Sequence, residues 1–268
     1  LTITRDYGVR TLATSTERDP AESETVMRLL DRRAGIKTRY GGAFVTSIDG
    51  LEGNSAARRR RDWFFYVNGI ESSEGAASVR VRGGDRIWWD YRDWTDAMRV
   101  PAVVGSWPQP FLRGHPLVDV DCAGARKQCD EVATALRGAG ARAAVRSPGE
   151  GEGRGDGGPR MLVGPWAALR RDSTARLLEA GPGRSGVFGD YESGRFVALD
   201  QRGRATRRLS PDAGLVAALR DGDGPATWVV TGAGAAGVTA ATRLLDARTL
   251  RNRYALATDG GAIPLPVR

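Results

Sequence analysis

The sequence predicts an α+β β-grasp domain followed by an α/β domain with a duplicated strand-helix unit. Three observations lead there. Turn-bounded strands surround one short amphipathic helix before residue 98, and strand and helix patterns alternate after residue 117. LVG at 162–164 and ARLLEA at 175–180 also recur, 67 positions later, as VVT at 229–231 and TRLLDA at 242–247.

Residues 1–98 form the first unit. Thr2–Thr4 reads as a short strand. Between Glu22 and Leu30, the apolar Val26, Met27, Leu29 and Leu30 fall on a helical period, with Ser23 or Thr25 as N-cap. Strands follow at Ala43–Ile48 before Asp49-Gly50, at Trp63–Val67 before Asn68-Gly69, and at Arg86–Arg92 after Gly83-Gly84-Asp85. Strands wrapped around a single helix predict the grasp. Residues 99–116 are a Pro-punctuated connector, whose Trp107 and Phe111 predict that it packs on a domain.

Residues 117–268 form the second unit. Strands are expected at Leu117–Cys122, Ala141–Arg146, Met161–Val163 and Trp228–Thr231, and a helix at Cys129–Arg137. Residues 147–159 hold no apolar side chain except prolines and predict a flexible Gly-rich loop. The alternation argues for partly parallel strands.

Charge and cysteines narrow the function. The net charge of +8 and pI near 10.1 invite a nucleic-acid reading, yet only Lys37 and Lys127 among 40 basic residues are lysines. The arginines are spread along the chain among Asp and Glu, and Arg58–Arg61 reads as a solvated loop, so no nucleic acid is expected. No apolar run reaches the ~20 residues of a membrane-spanning helix. The chain starts at Leu1 with neither initiator Met nor signal peptide, as a mature or trimmed form would. Cys122 and Cys129 can form a disulfide if a strand ends at the first and a helix opens at the second. Two buried thiols are the alternative, and a bridge would point to export. His115 is the single histidine, which leaves zinc and a Ser-His-Asp triad without support.

Other chemistry-bearing patterns are read as structural. Gly232–Gly237 spells a dinucleotide fingerprint, but it lies near the C-terminus without an acidic residue at the right distance, so no nucleotide is expected. Asp119 and Asp121 share a strand face, where polar edge residues are the plainer reading. No cofactor and no catalytic constellation is expected.

Aromatic density between 63 and 94 is the strongest functional signal. Trp63, Phe65 and Val67 share one strand face, opposite Phe64 and Tyr66; Ile87, Trp89 and Tyr91 oppose Trp88 and Asp90. One helix covers one face, so the other needs the second domain, a partner or a flat ligand. Trp63, Tyr66, Trp88 and Trp94 are the aromatic residues expected on a face that the helix leaves open.

At these residues the chain resembles the transcobalamin C-terminal-like domain, a β-grasp module. The matching segments are TVMRLL (25–30), YGGAFVTSIDG (40–50), DWFFYVNGIESSEG (62–75) and GDRIWWDYRDW (84–94). The resemblance implies that Gly42, Phe44 and Thr46 face a ligand and that Trp94 is the tryptophan ending the pattern. It implies cobalamin or another corrinoid as the ligand, within an uptake system. The second jaw would be a separate helical-barrel or transporter partner, since this chain has no such barrel. The expected function is therefore a non-enzymatic, exported ligand-binding protein, extracellular or at the cell surface. The alternative is a cell-envelope module holding a protein or glycan.

Overall fold

The computed structural model describes residues 1–40, 44–56, 60–112, 114, 117–147 and 158–268. The chain is mixed α and β, mostly sheet with few helices. Its first half holds β1 (Thr2–Arg5), β2 (Arg10–Thr14), α1 (Val26–Asp31), β3 (Ile36–Arg39), β4 (Phe44–Ile48), β5 (Leu51–Glu52), β6 (Arg61–Val67), β7 (Ile70–Glu71) and β8 (Ile87–Asp93). Five strands pair in the order β2-β1-β8-β6-β7, with β1 parallel to β8 and the other pairs antiparallel. The strands β3-β4-β5 make a separate antiparallel sheet.

Thr25, rather than Ser23, caps α1 by accepting the Arg28 N–H. The helix buries Val26, Leu29 and Leu30 in a core with Trp63, Ile87, Trp89 and Tyr91. Strand parity sends Tyr66 and Trp88 to the opposite face.

The second half holds β9 (Val118–Cys122), α2 (Arg126–Gly138), β10 (Ala143–Arg146), β11 (Arg160–Pro165), α3 (Trp166–Leu169), α4 (Pro182–Ser185), β12 (Gly189–Glu192), β13 (Arg195–Leu199), β14 (Ala205–Arg208), β15 (Gly214–Leu219), β16 (Thr227–Gly232), α5 (Ala235–Thr242), β17 (Ala255–Thr258) and β18 (Ala262–Leu265). Seven strands pair in the order β10-β9-β11-β16-β15-β17-β18. The first four run parallel, and the remaining neighbours pair antiparallel. Strict alternation is therefore corrected: the C-terminal part is largely hairpins, including the meander β12-β13-β14. The connector is buried at Val103, Val104, Trp107 and Phe111, and the latter two aromatics pack on Trp228 at 5.7 and 5.1 Å. The Gly-rich loop lies mostly outside the described residues, as do His115 and, within the arginine cluster, Arg58 and Arg59. Arg60 stacks over Trp94, and Arg61 pairs with Asp6.

The duplicated unit is also corrected. Its strand portions do lie side by side in register, Leu162 opposite Val229 and Val163 opposite Val230. The helical portions differ. ARLLEA is a 3-10 helix, whereas TRLLDA starts on the last residue of α5 and runs into turns. They also serve opposite faces of the sheet: Trp166, Leu169 and Leu178 join the core of Leu162 and Val229, while Val238 and Ala241 join that of Met161 and Trp228. Trp166 packs toward the meander, where Phe196 lies 6.0 Å away, and on the other face Gly232, the position equivalent to Pro165, lets α5 settle directly on the strand.

Cys122 and Cys129 are disulfide-bonded, their Cα atoms 5.7 Å apart between the end of β9 and the first turn of α2. Closing so short a loop removes modest entropy from the unfolded chain. Replacing both cysteines by Ala is expected to cost about 2–3 kcal/mol, read as a lower denaturation midpoint. Equal midpoints would show the bridge to be energetically idle.

Candidate functional site

The predicted ligand residues separate into four groups. Tyr66 and Trp88 are buried, at 0% and 3% exposure, against the C-terminal half: Tyr254 lies 5.8 Å from the Tyr66 ring and 5.3 Å from that of Trp88. They are therefore removed from the candidate ligand face. What covers that face is the second half of the same chain, with Tyr7 wedged 5.0 Å from Phe188 and 4.9 Å from Tyr254. Gly42 lies outside the described residues. Thr46 spends its hydroxyl on the Lys37 carbonyl. Phe44, Trp63 and Trp94 line one groove, but Trp63, expected on the face that the helix leaves open, is instead buried in the core against α1.

That interface between the halves carries a buried polar cluster. Asp90, wholly buried, accepts hydrogen bonds from Thr4 Oγ1, the Gly8 N–H and Tyr254 Oη. Burial nevertheless pushes its carboxyl above the usual range, against those bonds and the Arg92 charge. The folded state then holds a proton that the unfolded chain releases at lower pH, so Asp90 costs stability as pH rises through that window. Comparing denaturation midpoints at about pH 4 and about pH 7, the native chain should lose stability relative to Asp90→Asn, the uncharged isostere. A pH-independent difference would refute the shift.

The groove has a volume of about 440 Å³ and is lined by Phe44 and Val45 of β4, Asp62–Phe65 of β6, Glu71–Ala76, Trp89, Trp94, Met98 and Arg99. Four consecutive residues of one strand point to alternate faces. All can line one cavity only if it runs along the strand's edge. Phe44 and Met98 are 43% and 67% exposed and form the apolar part of the rim. Trp63 donates its indole N–H to the Leu51 carbonyl, whereas the Nε1 atoms of Trp89 and Trp94 are buried without a partner among the described residues. Burial pushes the Asp62 carboxyl up, partly offset by its bond from the Trp63 N–H. Glu71 is held by Arg92, Arg99 and the Val100 N–H.

Sequence reasoning missed Phe64, Phe65, Trp89 and the Glu71–Ala76 loop as groove residues. The signal was the unbroken aromatic run at 63–66, which marks an edge as readily as a face. Asp119 and Asp121 lie on β9, which is paired on both sides rather than at a sheet edge, and they are in ion pairs with Arg146 and Arg160. Among the described residues no group of three or more His, Cys, Asp or Glu could hold a metal, and no helix is long and apolar enough to cross a membrane.

A protein-family model described as a domain of unknown function, DUF4430, matches residues 23–93. The matched segment runs from just before α1 to the end of β8 and carries most of the groove. It leaves β1, β2 and the whole second half unmatched. No curated protein matches the chain.

Proposed function

We propose that this chain is an exported, non-enzymatic ligand-binding protein whose site is the groove along β6. Residues 1–98 are then a β-grasp module of the transcobalamin C-terminal type. The order β2-β1-β8-β6-β7, the parallel β1–β8 pair and the single helix on one face support that reading. The disulfide supports an oxidising compartment.

The groove carries the functional reading. Its volume falls in the range of small-molecule sites, and its walls carry the rings of Phe44, Trp63, Phe65, Trp89 and Trp94. A corrinoid, the ligand that the resemblance implies, is broader than this space. It would lie across the rim on Phe44, Met98 and Trp94, leaving its outer face to a helical-barrel or transporter partner. The alternative occupant is a protein or glycan of the cell envelope, for which the exposed rim residues speak equally.

Equilibrium dialysis of the full chain against cyanocobalamin tests the ligand. Saturable uptake should weaken about five- to tenfold in Phe44→Ala and in Trp94→Leu, since each ring contributes on the order of 1 kcal/mol beyond burial. The interface variant Tyr66→Phe should leave it unchanged. Absence of saturable uptake removes the corrinoid.

A further inference from the structure

Trp94, Met98 and Arg99 line the groove from beyond the end of the family match at residue 93. They belong to a strap, residues 94–103, that has two sides. One side meets the groove, where Met98 is exposed. The other is wholly buried: Ala97, Val100 and Val103 join the core that Val187, Phe188 and Leu199 of the second half help to build. From the first half, Arg92 holds the Ala97 and Met98 carbonyls, and Glu71 accepts the Val100 N–H. The end of the strap runs antiparallel to β7, where the Glu71 N–H donates to the Pro101 carbonyl and the Val103 N–H to that of Gly69. From the second half, α4 and Gly186, which ends it, stand directly against the strap. A Cβ on Gly183 would come within 3.3 Å of the Asp96 carbonyl oxygen, and one on Gly186 within 2.7 Å of the Val100 Cα.

We infer that the second half positions the rim of the groove, with Gly183 and Gly186 as the positioning residues. This rests on the reading of the groove as the binding site and adds what sets its shape. The strap cannot choose its own place. Backbone contacts fix it from both halves, and packing this close passes a displacement on rather than absorbing it. Ligand affinity and the packing of the second half on the strap are therefore coupled, each biasing the other. The family-matched segment supplies the floor of the groove and Phe44, while the opposite rim, Met98 and Arg99, is set from the other half of the chain.

Nuclear magnetic resonance of the full chain, labelled at the methyls of Met27, Met98 and Met161, tests this with and without cyanocobalamin. Gly183→Ala adds its methyl within α4, where the backbone is not left-handed, and presses on the Asp96 carbonyl. Gly186→Ala presses harder, on Val100, but also strains its own backbone at φ +73°. The control is Gly237→Ala, whose added methyl meets Ala213 and Gly232 instead. The Met98 methyl and Trp94 indole signals of the free protein should shift in Gly183→Ala and further in Gly186→Ala, with Met27 unmoved. Cyanocobalamin affinity should fall about threefold or more in both, and the control should leave signals and affinity as in the native chain. If Gly186→Ala does not fold, Gly183→Ala decides alone. Unmoved Met98 and Trp94 signals overturn the inference, as do equal shifts in the control or an affinity that ignores the shifts. Shifts in a protein whose native form takes up no cyanocobalamin remove the corrinoid and leave the positioning of the rim in place.

Discussion

Replacing Arg92 by Met is expected to destabilise the chain by about 3–5 kcal/mol, the loss that follows when one partner of a buried ion pair is removed. Arg92 is fully buried on β8, and its guanidinium lies 3.7 Å from the centre of the Phe64 ring. Its nitrogens donate to the Ala97 carbonyl at 2.6 Å and the Met98 carbonyl at 2.9 Å, and face Glu71 at 3.4 Å. Methionine fills much of the volume but leaves two carbonyls unpaired and a buried carboxylate with only the exposed Arg99 for charge balance. Lysine should recover part of the loss at most, because a point charge cannot serve a carboxylate and two carbonyls at once. Chemical denaturation measures both. Adding Glu71→Gln to Arg92→Met should restore some stability, since the two sites share one interaction. Strict additivity of the pair would deny that the ion pair is the cause. The segment Arg92 holds includes Met98 and Arg99 of the groove, so ligand uptake should fall with stability.

Much of the N-terminal half was legible in the sequence, and the reason is parity. Trp63, Ile87, Trp89 and Tyr91 meet α1, while Tyr66 and Trp88 face away from it, as alternation along two strands requires. Alternation does not say what covers the second face. That depends on Tyr254, 188 residues beyond Tyr66, and no local pattern marks such a contact. The groove was half legible for a related reason. Phe44, Trp63 and Trp94 stand in it, but Met98 and Arg99 reach its rim from outside any strand, where alternation says nothing. Short edge strands such as β5 and β7, two residues each, are set by pairing rather than by propensity. The 67-residue repeat misled because it was half true. Its strands are neighbours in register, but its helical segments join cores on opposite faces of the sheet.

Gly237→Ala is expected to cost about 3 kcal/mol or more, while Gly234→Ala, in the same glycine-rich turn, should change stability by no more than about 0.5 kcal/mol. All three glycines of the turn fit the spelling of a dinucleotide fingerprint, and the structure gives them unlike tasks. A Cβ on Gly237 would sit inside the contact radius of the Ala213 carbonyl oxygen, and one on Gly232 would meet the Gly237 backbone. These glycines let α5 press against β15 and β16. Gly234 has open space around its Cβ position and an extended backbone that any residue adopts, with φ −138°. Relief at Gly237 requires moving backbone on both sides, since no flexible side chain tip stands in the way. Nucleotide binding predicts a different pattern. A phosphate cradle at the turn would be impaired by Gly234→Ala without loss of stability, because the middle glycine is where backbone approaches the pyrophosphate. Measuring the denaturation midpoint and NAD or ATP affinity of both variants separates the readings. A stable Gly237→Ala protein would contradict the packing role, and native nucleotide affinity lost in Gly234→Ala would restore the fingerprint.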